Sequence, residues 1–139
     1  MFNKVKVKKG ALDHFRRLAR EAAPKEIQAY LVGKIVSVDS VEITEFAYPK
    51  VYHTQAINEV CWYEEEYKVL KNRVEASGER IIGDIHSHPQ WDAVMSLNDY
   101  KSAITESLAV CGICSIYGKR TRVRFWTPTS ALPCSIIYS

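Results

Sequence analysis

The segment from Arg80 to Pro89 constrains the fold of this chain more than any other. Its pattern predicts a strand over residues 80–88, closed by Pro89, which cannot donate a hydrogen bond to a central ladder. Side chains two positions apart on a strand point to the same face of the sheet. His86 and His88 therefore lie side by side at the end of this strand, and other segments must supply their neighbours.

Helical and strand patterns alternate along the rest of the chain. The predicted helices cover residues 10–22, 63–75 and 96–106. The predicted strands cover residues 27–38, 41–48, a short stretch near 56–61, 80–88, 108–117, 121–126 and 135–138. Several strands with about three interspersed helices indicate a mixed α/β fold, and we expect one domain over residues 1–139.

Composition excludes several classes of protein. Apolar residues make up 47% and charged residues 25% of the 139, as in ordinary globular domains. No stretch approaches the roughly 18 apolar residues that span a bilayer. The chain starts without an apolar signal segment, and its four cysteines are too sparse for a disulfide scaffold. We therefore expect a reduced protein of the cytoplasm with no membrane contact.

The net charge is mildly basic, with 19 Lys and Arg against 16 Asp and Glu. Two basic runs, at residues 4–9 and 119–124, alternate with apolar residues. That alternation is typical of the solvated face of an antiparallel strand or a hairpin. We prefer this interpretation to a phosphate-binding patch, so nucleic acid is not the expected partner.

The histidine pair is suited to a metal ion. Neutral imidazole nitrogens favour Zn²⁺, and a catalytic zinc site commonly has three protein ligands. Asp99 follows His88 by eleven residues, in the first turn of the predicted helix over 96–106, and is the candidate third ligand. Other interpretations exist: the histidines could be a buried hydrogen-bonded pair, and Ser96 with Asp99 could form a helix capping box. The conjunction of these features favours the metal site.

The spacing of these residues resembles a known family. His86-Ser87-His88-Pro89, six residues, Ser96, two residues and Asp99 is similar to the His-x-His-Pro-x6-Ser-x2-Asp motif of the JAB/MPN domain, the JAMM metalloproteases. The resemblance implies a cytidine-deaminase-like fold with a central mixed sheet flanked by about three helices.

The family also has an upstream glutamate in the pattern Glu-x-Cys-Gly-x-Leu-x-Gly. Glu26 and Gly33 keep that spacing, whereas Gln28 and Ala29 replace the Cys-Gly pair. The resemblance implies that Glu26 is the general base for a zinc-bound water. It also implies that Ser96 donates a hydrogen bond to the oxyanion of the tetrahedral intermediate. From sequence alone, other carboxylates could take the role of Glu26, which could instead be an exposed acid at a strand start.

The implied activity is that of a zinc metallopeptidase or isopeptidase. The expected substrate is a peptide or protein, including the C-terminus of a ubiquitin-like or sulfur-carrier protein. The alternative function is a non-catalytic, zinc-bound module that binds protein or nucleic acid in an assembly. The sequence does not predict an oligomeric state.

Three further residues are candidates for the site. Asp84 lies on the same strand face as the histidines, where the family more often has a bulky apolar residue. It is either a partner that fixes a histidine tautomer or an exposed polar residue. Cys111 and Cys114 are three positions apart on a strand and so face opposite ways. We predict that they are buried cysteines and not a chelating pair.

Overall fold

The computed structural model describes residues 2–89, 95–96, 99, 106–129 and 131–139. The helices in these residues are α1 (Lys9–Ala22) and α2 (Glu64–Ala76). The strands are β1 (Lys4–Val7), β2 (Gln28–Ile35), β3 (Ser40–Ala47), β4 (Thr54–Gln55), β5 (Val60–Cys61), β6 (Arg80–His88), β7 (Val110–Tyr117), β8 (Arg120–Trp126) and β9 (Ser135–Tyr138). The third predicted helix, over 96–106, lies mostly outside the described residues, although Asp99 itself is helical.

Seven strands form one mixed sheet in the order β8-β7-β6-β2-β3-β1-β9. The β6–β7 pair is parallel, and β1 runs parallel to both β3 and β9, whereas the other neighbours are antiparallel. The predicted mixed α/β class is therefore confirmed. Because β6 lies between β2 and β7, the histidine strand is central in the sheet.

Two details of the predicted strands were wrong. The basic run at residues 4–9 begins with a strand that pairs in parallel, not antiparallel as expected. Lys4 and Lys6 are exposed and Val5 and Val7 buried, but such alternation reports only which face is covered, not the direction of a neighbour. The short strand near 56–61 is instead two strands, β4 and β5, which pair antiparallel.

The two helices cover opposite faces of the sheet. Leu12 and Phe15 of α1 belong to the same buried cluster as Leu31 of β2. Leu70 of α2 packs in a separate cluster with Tyr30, the neighbour of Leu31 on β2. Because successive residues on a strand point to opposite faces, each helix occupies its own side. Neither helix has the length and apolar character needed to cross a membrane.

A glycine in the histidine strand permits a close approach of the neighbouring strand β7. A β-carbon at Gly83 would collide with the carbonyl oxygen of Val110 on β7. Only glycine fits at such an approach of two backbones. Gly83 therefore lets β6 and β7 pair in the register that sets His86 beside Ile113.

Candidate metal centre

His86 and His88 end β6 on one face of the sheet, as their spacing predicted. Both are buried, and their Nε2 atoms lie 2.9 Å apart. The rings are inclined at 60° with centroids 4.8 Å apart. Two imidazole nitrogens therefore converge on one point at the end of the strand.

Asp99 brings its carboxylate to the same point. Its Oδ1 lies 3.0 Å from Nε2 of His86, and its Oδ2 lies 3.5 Å from Nε2 of His88. One ligand atom from each residue falls within 4.8 Å of the others, the spacing of a set that could hold a metal ion. The two-nitrogen, one-carboxylate donor set fits a divalent metal.

Ser96 fixes the orientation of Asp99 through a reciprocal cap. The backbone N–H of Ser96 donates to Oδ2 of Asp99 at 2.7 Å, and the N–H of Asp99 donates to Oγ of Ser96 at 3.1 Å. This is the capping box that the sequence allowed. The cap and the metal-ligand interpretation are compatible, because the same carboxylate also faces both histidines.

The electrostatics of the three residues favour a cation between them. Burial alone would lower the pKa of His86, but the hydrogen bond and charge of Asp99 prevail and raise it to about 9. Burial acts to raise the pKa of Asp99, yet the two histidines hold it far below its ordinary range. A positive charge is therefore stabilised at the point where the three side chains meet.

Glu26 lies beside this set, and the interpretation of it as an exposed acid is wrong. The register pairs Gln28 with His86, so two residues earlier Glu26 comes opposite His88. The chain is held there because Ile27 N–H donates to Oγ of Ser87 at 2.9 Å and Ser87 N–H donates to the Ile27 carbonyl at 3.0 Å. The Glu26 side chain is only 6% exposed. Burial raises its pKa, and the nearby histidines partly offset that rise.

Asp84 is also buried, so its interpretation as an exposed polar residue is wrong. Its Oδ2 accepts a hydrogen bond from Nε2 of Gln28 at 2.7 Å and lies 3.8 Å from Nδ1 of His86. Burial raises the pKa of Asp84, against the lowering effects of His86 and Gln28. Asp84 therefore lies on the far side of the His86 ring from Asp99.

Cys111 and Cys114 are buried strand cysteines, as predicted, and belong to different core clusters. Sequence reasoning nevertheless missed the position of Cys111. The parallel pairing of β6 and β7 sets it directly beside Asp84, so that Asp84, His86 and Cys111 also have ligand-like spacing. No local signal predicts this contact, because it depends on the register between two strands that lie more than 20 residues apart in the chain.

Comparison with known families identifies the chain. A family profile described as prokaryotic homologs of the JAB domain matches residues 8–129, which is most of the sequence. The chain belongs to this family. Both motif segments of this prokaryotic JAB domain, around Glu26 and from His86 to Asp99, lie inside the matched region.

Solved structures share the fold of this prokaryotic JAB domain. A solution structure from Desulfitobacterium hafniense has a TM-score of 0.73 at 18% identity, covering 97% of this chain and 92% of that one. A solution structure from Salinibacter ruber has a TM-score of 0.64 at 16% identity, covering 96% and 91%. A JAB1/MPN domain protein from Archaeoglobus fulgidus has a TM-score of 0.59 at 19% identity, covering 95% and 98%. The comparison with curated proteins gave no match.

Proposed function

We propose that this protein is a zinc-dependent metallopeptidase in which His86, His88 and Asp99 hold Zn²⁺ and Glu26 is the general base. One observation carries the proposal: a buried carboxylate, Glu26, lies next to the three-residue ligand set without belonging to it. Asp84, the other buried carboxylate nearby, has hydrogen-bond partners in Gln28 and Cys111. The charges that act on Glu26 are instead chiefly those of the three ligands themselves. A buried carboxylate in that position adds a desolvation cost without holding the ion, and a role in proton transfer explains why it is there.

The donor set is the reason for choosing zinc. Two imidazoles and one carboxylate match catalytic zinc sites, which keep a fourth position for water or substrate. Zinc bound there would supply an activated water, because the metal lowers the pKa of a bound water from 15.7 to about 7.

Glu26 has the properties of a general base that also serves as a general acid. A proton shuttle works best when its pKa lies near the operating pH, and burial shifts the pKa of Glu26 upward in that direction. In the proposed reaction its carboxylate accepts a proton from the attacking water and later gives that proton to the leaving amine. The two hydrogen bonds between Ile27 and Ser87 keep Glu26 at this position.

Ser96 is the proposed donor to the oxyanion. Its oxygen accepts the N–H of Asp99, which leaves the hydroxyl proton to donate elsewhere. Ser96 is exposed, so a substrate carbonyl can reach it. A donor of this kind is typically worth about 2.7–4 kcal/mol in the transition state.

The proposed substrate is a peptide or isopeptide amide, including one at the C-terminus of a ubiquitin-like or sulfur-carrier protein. The proposed location is the cytoplasm, where the four free cysteines would stay reduced.

Three variants test this proposal against a panel of peptides and ubiquitin-like fusions, with zinc content measured alongside cleavage. Glu26→Gln keeps zinc and loses turnover by about 10²–10⁴-fold. His86→Ala loses both zinc and turnover. Glu21→Gln makes the same chemical change at an exposed position of α1 and should keep both. Wild-type turnover in Glu26→Gln would mean that another residue is the base. A zinc-loaded wild type that cleaves nothing in the panel would favour the alternative, a non-catalytic zinc-bound module.

A further inference from the structure

The side of the His86 ring opposite the candidate ligands faces a buried polar cluster. Asp84 lies there with its Oδ2 3.8 Å from Nδ1 of His86. Gln28 donates its amide N–H to the same oxygen at 2.7 Å, and the Cys111 thiol hydrogen-bonds to the Asp84 carboxylate. Asp84, His86 and Cys111 are all more than nine-tenths buried. A carboxylate in such a place is costly unless it serves a charged or hydrogen-bonding partner.

The two ring nitrogens of His86 have different surroundings. Nε2 faces His88 and Asp99, so it is the nitrogen available to a metal. Nδ1 must then carry the ring proton, and a metal-binding histidine almost always donates that N–H to a carboxylate, a carbonyl or water. Asp84 supplies the carboxylate on that side. At 3.8 Å the contact is longer than a hydrogen bond and lies within ion-pair range.

We propose that Asp84 is a positioning residue that fixes His86 in the tautomer protonated at Nδ1, and that Gln28 and Cys111 hold its carboxylate in place. This inference rests on the proposed function in one respect, the binding of the metal through Nε2 of His86. It deepens that function by naming a residue outside the ligand set that positions one of the ligands.

A second metal site is the competing explanation, because Asp84, His86 and Cys111 also have ligand-like spacing. It would require His86 to bind metal through both nitrogens and so to lose its remaining N–H proton. Cys111 would have to become a thiolate, whereas burial raises the pKa of that thiol well above its ordinary value. If Asp84 only positions His86, the ring keeps its N–H proton and the Cys111 thiol stays protonated.

The test measures zinc affinity by competition with a chromophoric chelator and needs no substrate. Asp84→Asn, which keeps the shape and removes the charge, should weaken zinc binding by about 10–100-fold. Glu106→Gln is the matched control, because Glu106 is a nearby carboxylate that accepts the Tyr30 hydroxyl and not a His86 nitrogen. It should bind zinc as wild type does. Gln28→Leu leaves Asp84 intact but removes its 2.7 Å donor, so it should cause a smaller loss and serves if Asp84→Asn does not fold.

A spectroscopic measurement separates positioning from a general structural role. Long-range ¹H–¹⁵N correlation of the zinc-loaded protein should assign the His86 proton to Nδ1 in wild type, and the Nδ1–H signal should shift or exchange faster in Asp84→Asn. Equal zinc affinity in Asp84→Asn and wild type, with an unchanged Nδ1–H signal, would overturn the inference. A thiolate-to-metal band in the cobalt-substituted protein that disappears in Cys111→Ser would also overturn it, in favour of a second metal site.

These outcomes are distinguishable from failure of the proposed function. If wild type cleaves peptides but Asp84→Asn binds zinc normally, the inference fails and the function stands. If zinc affinity depends on Asp84 but no amide is cleaved, the function fails and the inference stands.

Discussion

The contact between His86 and Asp99 should make the stability of the zinc-stripped protein depend on pH. The His86 side chain is 8% exposed, and burial alone would lower its pKa. The hydrogen bond and charge of Asp99, with smaller contributions from Asp84 and Glu26, instead raise the pKa of His86 from 6.5 to about 9. A group whose pKa is higher in the folded than in the unfolded state contributes its full stabilisation when the pH is below the unfolded-state pKa. That contribution to stability is lost as the pH rises through the pKa of the group in the folded state. A rise of this size corresponds to about 3 kcal/mol, a large share of the 5–15 kcal/mol typical of a domain.

The assay is urea unfolding of the zinc-stripped protein at several pH values between about 6 and 10. The free energy of unfolding of wild type should fall by up to about 3 kcal/mol as the pH rises from 6.5 to 9. Asp99→Asn removes the largest favourable partner of His86 and should flatten most of this slope. Asp13→Asn is the control, because Asp13 pairs with Lys9 on the exposed surface of α1, where such pairs contribute little.

The result that would refute this reasoning is a wild-type profile that is flat between pH 6.5 and 9. An equal slope in wild type and Asp99→Asn would also refute it, because the slope would then arise from groups other than this pair.

Other consequences can be measured separately. Zinc affinity should fall as the pH drops below about 9, because protons then compete for His86 in calorimetric titrations. Gly33→Ala should destabilise the fold severely in thermal melts, because the new β-carbon would meet the backbone of Glu42, whereas Gly10→Ala on α1 meets nothing and should stabilise it by about 0.5–1 kcal/mol. Phe15→Ala should cost about 3–5 kcal/mol in urea unfolding, since the ring is fully buried; a loss below 1 kcal/mol would contradict the assigned core.

Local pattern was sufficient for the elements that carry the site. Strand periodicity predicted β6 and the shared face of its two histidines, because side-chain direction along a strand depends only on whether a position is odd or even. Helical periodicity predicted α1 and α2 within one residue of their observed bounds. The spacing of Ser96 and Asp99 likewise allowed their cap as one interpretation, since its hydrogen bonds span only three residues.

Tertiary structure alone decided which distant side chains meet at the histidines. The burial of Glu26 beside His88 follows from the register of β2 on β6, and Ile27 and Ser87, whose hydrogen bonds hold it, are 60 positions apart. The Asp84–Cys111 contact follows from the parallel pairing of β6 with β7. The alternating pattern of a strand predicts the face on which each side chain lies. It does not predict which strand pairs with it, nor whether that strand runs parallel or antiparallel. The sequence therefore determined the histidine pair, and the sheet decided which carboxylates surround it.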